Sequence, residues 1–306
     1  MTTKPKTAAE GGRVVSLFRH AALEGVPEIP LGDAVDGREP EGAGFAASTT
    51  ASVGLSLPPV WFLCGAGGTG KTVLARWLVW RMQQHGREAV LAALDPGNRS
   101  LARWFDDVQQ PASRDSAHSS RWLVQDLLDP LMEMDPRNPA VLDFGGGDVA
   151  LAQAVEKTNG LHTVLESAGL GVVACYVLSP RIDDLGPLQT LERLGFQPRA
   201  TLLVLNEGRA DPTLPRSDAF ASITAHSVFR AALARGAQPV WMPALESDVM
   251  QEIDAKRLDF SMARDGQVPD GARFPAIGGL RRSMVARWLE RMEQAFIPLT
   301  ERHWLP

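Results

Sequence analysis

Residues 61–72 read WFLCGAGGTGKT, an apolar run ending in a glycine-rich octet. The octet satisfies G-x-x-x-x-G-K-[ST] through Gly65, Gly70, Lys71 and Thr72. Apolar residues precede it and the helix-periodic TVLARWLVWRMQQHG follows, so the motif sits where a buried strand passes into a helix. That context constrains the fold. Glycines let consecutive backbone N–H groups turn inward, and the helix beginning near Gly70 directs its positive end at an anion. The octet therefore reads as a phosphate-binding loop made of Gly65, Ala66, Gly67, Gly68, Thr69, Gly70, Lys71 and Thr72, with Val73 next in line. Lys71 would reach the β- and γ-phosphates, and the Thr72 hydroxyl would face Mg²⁺.

The rest of the chain alternates in the same way. Strand-like runs occur in EAVLAALDPGN, PAVLDFGGGD, GVVACYVLSP, ATLLVLNEG and QPVWMPAL. Helical patterns occur in VALAQAVEKTNGLHTVLESAG, PLQTLERLG, SDAFASITAHSVFRAALARG and GGLRRSMVARWLERMEQAF. Residues 98–139 are mixed, with helical pieces in SLARWFDDV and SSRWLVQDLL. Strands alternating with helices imply β-α-β units and a three-layer α/β fold, a mostly parallel, doubly wound (Rossmann-like) sheet carrying the phosphate loop. With 306 residues, 44% hydrophobic, the chain supports one sizeable α/β domain, expected over 57–306. Residues 1–56 lack sustained periodicity and read as a disordered extension, with one short helical piece at 14–25.

Two further strand ends carry a carboxylate, in LAALDPGN and AVLDFGGGD. In an open α/β sheet ligands sit beyond the carboxyl ends of the strands, so Asp95 and Asp143 should face the phosphate loop. Asp143 reads as an Mg²⁺ acceptor acting through water. Asp95, also a metal candidate, would orient the attacking water or take its proton. A helix cap or turn is the alternative for each. Asn206 ends TLLVLN and Pro243 ends VWMP. An asparagine there would pair with the N6 and N7 edge of adenine, or simply form a turn. The guanine-reading N-K-x-D pattern is absent, because Glu207 and Gly208 follow Asn206, and this favours ATP.

Formal net charge is −5, which excludes a broadly basic nucleic-acid binder; any DNA contact would be local or pass through a partner. Arg281, Arg282, Arg287 and Arg291 on the last helix read first as a solvated face, and the helix stripe of Leu280, Met284, Trp288, Leu289, Met292 and Phe296 as its buried side. Cys64 and Cys175 lie in strand-like runs and read as small buried hydrophobes. No run has the ~18 apolar residues of a membrane span and the N-terminus lacks a signal core, so the chain reads as cytoplasmic. His85, His162 and His226 show no metal spacing.

The loop GAGGTGKT, the strand end LDPGN, the switch-like DFGGGD, the strand LLVLNEG and the closing WMPAL fall in an order that resembles the ParA/MinD-type ATPases, and most closely TraL-like conjugal-transfer proteins. The resemblance covers about residues 59–296. It implies an ATPase that binds ATP and Mg²⁺, forms a homodimer around nucleotide, and works with a conjugation or plasmid-partition partner. By motif match, Lys71 would bind phosphate, Thr72 and, through water, Asp143 would hold the metal, Asp95 would position the hydrolytic water, and Asn206 would read adenine. In that family the loop reads G-K-G-G-x-G-K-T, and its first lysine reaches across the dimer to the partner's phosphates. Here that position is Ala66. The alanine keeps the backbone amide but withholds a cation, a kind of group worth ~10³–10⁵ in rate in related arginine-finger systems. Three outcomes are open: a slow, nucleotide-gated switch; an arginine such as Arg181 or Arg209 in its place; or a cation from a partner. The body's spare lysines are only Lys157 and Lys256. Two rivals stand beside the ATPase: a P-loop kinase acting on a small acceptor, with Arg264 and Arg273 of the 264–279 loop as a lid, and a non-hydrolysing, ATP-dependent interaction module.

Overall fold

The computed structural model describes residues 54–95, 101–113, 115–134, 138–147 and 149–306. Residues 1–53 of the expected extension, including the 14–25 piece, and the turn immediately after Asp95 lie outside the described residues.

Six strands form one parallel sheet: β1 Pro59–Cys64, β2 Val90–Ala93, β3 Ala140–Asp143, β4 Gly171–Leu178, β5 Ala200–Asn206 and β6 Gln238–Met242. Their order is β2-β3-β1-β4-β5-β6. The expected architecture is the observed one: a doubly wound α/β sheet between two helical layers. Side chains alternate across each strand, so Trp61 and Leu63 enter one core while Val60, Phe62 and Cys64 enter the other. Both faces are covered, which is why these strands read as continuous apolar runs.

The chain steps one way from β1 to β2 and the other way from β2 onward, and right-handed crossovers place the two sets of connections on opposite faces. Helix α1, Lys71–Gln84, lies on the first face. The second receives α2 Ser116–Trp122, a π-helical stretch Leu123–Leu128, α3 Asp129–Glu133, α4 Val149–Thr158, α5 Leu161–Ser167, α6 Gly186–Arg193, and then α7 Arg216–Ala219, α8 Ala221–Ala225 and α9 Ser227–Ala234. After β6 the chain returns to the first face as α10 Ser247–Lys256, α11 Phe260–Asp265 and α12 Gly279–Glu301. The direction reverses between β1 and its neighbour β3, so a crevice opens at their carboxyl ends.

Three expectations change at element level. The run 149–169 is two helices, because Asn159 and Gly160 take positive φ between them. The run 217–236 is three short helices, broken at Phe220 and at His226, whose ring nitrogen caps α9. On α12, Trp288, Leu289, Met292 and Phe296 are buried as expected, but Leu280 is 85% exposed and Met284 44%. The apolar stripe thus outruns the body that covers it.

Candidate functional site

The crevice is built around the octet. Gly65 leaves β1 with φ 136°, and a Cβ there would stand 2.7 Å from the Val177 carbonyl oxygen of β4. Gly70 has φ 108°, and its Cβ would meet Asn206 Nδ2 at 2.2 Å. Both conformation and space demand glycine at these two positions. Gly70 also stands at the N-cap of α1 and offers no side chain to the first-turn amides, leaving that helix start to an external anion.

Lys71 is buried and its ammonium folds back on the loop, with Nζ donating to Gly65 O at 2.7 Å and Ala66 O at 2.9 Å. The charge is held at the mouth of the cradle by two carbonyls that a phosphate would outcompete. One residue on, Thr72 Oγ1 donates to Asp143 Oδ2 at 3.2 Å. Asp143 is the last residue of β3 and is 3% exposed.

Asp95 lies on the adjacent strand tip. Leu94 N donates to Asp143 O at 2.8 Å, which ties the two tips together. Beyond Asp143 the DFGGGD turn packs closely on both neighbours. A Cβ on Gly145 would lie 3.0 Å from Asp95 Cγ, and one on Gly146 would lie 2.8 Å from Gly67 N. The structure therefore brings Lys71, Thr72, Asp95 and Asp143 to one rim.

The donor set also fits Mg²⁺. Thr72 and Asp143 present hard oxygens side by side, and no cluster of three or more His, Cys, Asp or Glu occurs among the described residues. Mg²⁺ uses one or two protein oxygens and completes its octahedron with water and phosphate, so a sparse site is what it requires.

Asn206 and Pro243 sit on the other side of the loop. They line a cavity of about 270 Å³ together with Gly70, Val73, Arg209 and Trp288. In this arrangement Asn206 is a buttress: Nδ2 donates to Thr69 O at 2.7 Å, and Oδ1 accepts from Gly208 N at 3.0 Å. Thr69 is wholly buried and passes the restraint on through Oγ1 to Ala66 O at 3.1 Å. The Pro243 carbonyl accepts from Trp288 Nε1 at 2.9 Å. Both base-reading candidates border the cavity, with these polar atoms engaged by the scaffold.

Two residues escaped the sequence reading. Asp184, in the 3-10 turn Ile182–Leu185 that follows β4, is 1% exposed and accepts from Ser179 N at 2.9 Å and from the Ser179 hydroxyl. Its other oxygen takes Arg181 Nη2 at 3.0 Å. The only available signal was the repeated acid in SPRIDD, which by itself reads as a helix start. Trp288 was read as core, and its hydrogen bond to the cavity wall carried no sequence signal. Of the suggested kinase lid, Arg264 bonds Asp265 and reaches Gln84, at the C-terminal end of α1 and about 20 Å from the phosphate loop by helix rise.

Among the described residues no helix is long and apolar enough to cross a membrane. The chain matches no protein-family model and no curated protein sequence. Among solved structures it is similar to the signal recognition particle receptor FtsY from Elizabethkingia anophelis, at 14% identity and a TM-score of 0.40, over 79% of this chain and 68% of that one. It is also similar to FtsY from Mycoplasma mycoides, at 14% identity and a TM-score of 0.37, over 61% of each chain. What the strand order, the octet and the crevice give together is a doubly wound α/β fold with a P-loop at its switch-point crevice.

Proposed function

We propose that this chain is a Mg-ATP-binding P-loop NTPase that works as a nucleotide-gated switch. The observation carrying the reading is the Lys71 ammonium poised on the loop carbonyls beside the Thr72–Asp143 pair. A triphosphate entering the cradle would draw Lys71 off Gly65 O and Ala66 O. Thr72 and, through water, Asp143 would hold Mg²⁺, whose role is to neutralise charge on the β- and γ-phosphates. Asp95 would orient the attacking water. The Gly145–Gly147 turn, already in contact with Gly67, would sense the γ-phosphate and relax when it leaves. Base and ribose would occupy the cavity walled by Asn206, Pro243 and Trp288. ATP is preferred to GTP because Glu207 and Gly208 replace the guanine-reading residues. The place of the switch in conjugative transfer or plasmid partition rests on the order of the sequence motifs.

Ala66 favours a second reading, a module that binds ATP without turning it over. The two separate in one experiment: nucleotide binding and phosphate release, with and without DNA, for the wild type and Lys71→Ala. Loss of ATP affinity in Lys71→Ala supports the site, and unchanged affinity overturns it. Phosphate release with no added acceptor supports the NTPase; tight binding with no release supports the module; release only when a small acceptor is present supports a kinase.

A further inference from the structure

Lys71 is the cradle's own cation, and at Ala66 the loop carries no second one. The γ-phosphate end of the cradle can be located on the molecule. The Thr72–Asp143 pair marks where a metal bridging the β- and γ-phosphates would sit, and the turn after Asp143 presses Gly146 against Gly67 N. Gly67 is therefore on the γ side of the loop, and Gly70, against Asn206, is on the base side. Arg181 meets the loop at Gly67: its Nη2 lies 3.5 Å from Gly67 O.

Its support is built in. Arg181 Nη2 is held by Asp184 Oδ1 at 3.0 Å and Nε by the Ser179 hydroxyl at 3.3 Å. Asp184 is itself buried and fixed by the Ser179 backbone and hydroxyl. The Arg181 side chain is 62% exposed, so the guanidinium can pivot on a rigid base without opening the core. Three other cations of the body are engaged elsewhere. Arg209 lines the base-side cavity. Arg76 is held by Asp254 and Leu258 O and stacks on Trp104. Lys256 is held by Glu252 and the Pro275 carbonyl.

We propose that Arg181 is a catalytic residue that supplies, from the same chain, the positive charge which Ala66 withholds from the γ-phosphate. The inference rests on the nucleotide-site reading above. In the step it serves, water oxygen bonds to the γ-phosphorus as the bond from that phosphorus to the β–γ bridging oxygen breaks. ADP keeps the bridging oxygen and its electron pair. Phosphate leaves with the water oxygen, and the water's proton passes to Asp95 or solvent. Negative charge accumulates on the bridging and γ oxygens, and a guanidinium arriving from Gly67 neutralises it without a second subunit.

The test uses the full chain and the variants Arg181→Ala, Arg181→Lys, Arg264→Ala and Lys71→Ala. Binding of ADP alone and of ADP with Mg²⁺ and aluminium fluoride is measured alongside phosphate release. Arg181→Ala should bind ADP as the wild type does. It should lose affinity for the aluminium fluoride complex and release phosphate roughly 10³-fold more slowly. Arg181→Lys should recover part of both. Arg264→Ala, at a residue paired with Asp265 beside the far end of α1, should leave release unchanged. Mixing Lys71→Ala with Arg181→Ala should give no recovery, since each chain carries its own arginine. Equal aluminium fluoride affinity in Arg181→Ala and wild type overturns the proposal, as does recovery on mixing or a wild type with neither release nor fluoride-dependent binding. A failure of the site itself would look different, with ATP affinity unchanged in Lys71→Ala.

Discussion

Gly146 shows how finely the rim is set. Its backbone stands against Gly67 N, and an added methyl would arrive at 2.8 Å from that nitrogen, where neither backbone can yield without moving a strand tip. Gly146→Ala should separate the DFGGGD turn from the phosphate loop and cost about 1–3 kcal/mol, the usual penalty for an extra methyl in packed surroundings. A chemical denaturation curve measures the cost, and ATP titration should show weaker binding with ADP less affected. Gly147 provides the control. It has φ 103°, but among the described residues only the Val149 side chain lies near its Cβ, at 3.9 Å, so alanine there should strain the turn without crowding the loop. The octet itself was legible because its chemistry is local: amides, a lysine and a hydroxyl within eight residues. The glycine after Asp143 was legible as a turn, but its contact with Gly67 depends on β3 lying beside β1, which no single stretch of sequence states.

At the scale of elements, the carboxyl end of β5 holds the phosphate loop from outside. Asn206 uses one amide hydrogen on Thr69 O and its oxygen on Gly208 N, so it links the loop to the wall of the 270 Å³ cavity. Asn206→Ala would leave the buried Thr69 carbonyl short of a donor, a loss of about 1–3 kcal/mol. A buttress predicts that ATP and GTP affinity fall together. A base reader predicts that ATP affinity falls and GTP affinity does not. Competition titrations of the variant with the two nucleotides decide between them. Strands were read well here because both faces are buried and the runs are uniformly apolar. Helix breaks were read poorly, because positive φ at Asn159 and the His226 cap interrupt periodic patterns that look continuous.

Across the whole molecule, the two cores on either side of the sheet are sealed from solvent, and each cysteine belongs to one of them. Cys64 and Cys175 are fully buried, and burial pushes the Cys175 thiol well above its ordinary pKa. A folded-state pKa raised in this way means that the stabilisation is complete below the ordinary thiol value of about 8.5 and is lost as pH rises beyond it. Stability measured by urea unfolding should therefore decline from about pH 8 upward, and Cys175→Ala should flatten that decline. Thiol reagents at neutral pH should label neither cysteine until the sheet opens. A parallel, doubly wound sheet follows from the alternation of elements and was expected, but its strand order was not; nor was the exposed start of α12, because periodicity reports a stripe and not how far the body beneath it extends. The indole of Trp288, bonded to the carbonyl of Pro243 at the edge of the 270 Å³ cavity, gives the molecule a native optical reporter. A purine arriving against that wall would alter its emission, and a Trp288→Phe control would isolate the signal from the other seven indoles, so occupancy can be followed in real time without attaching a dye.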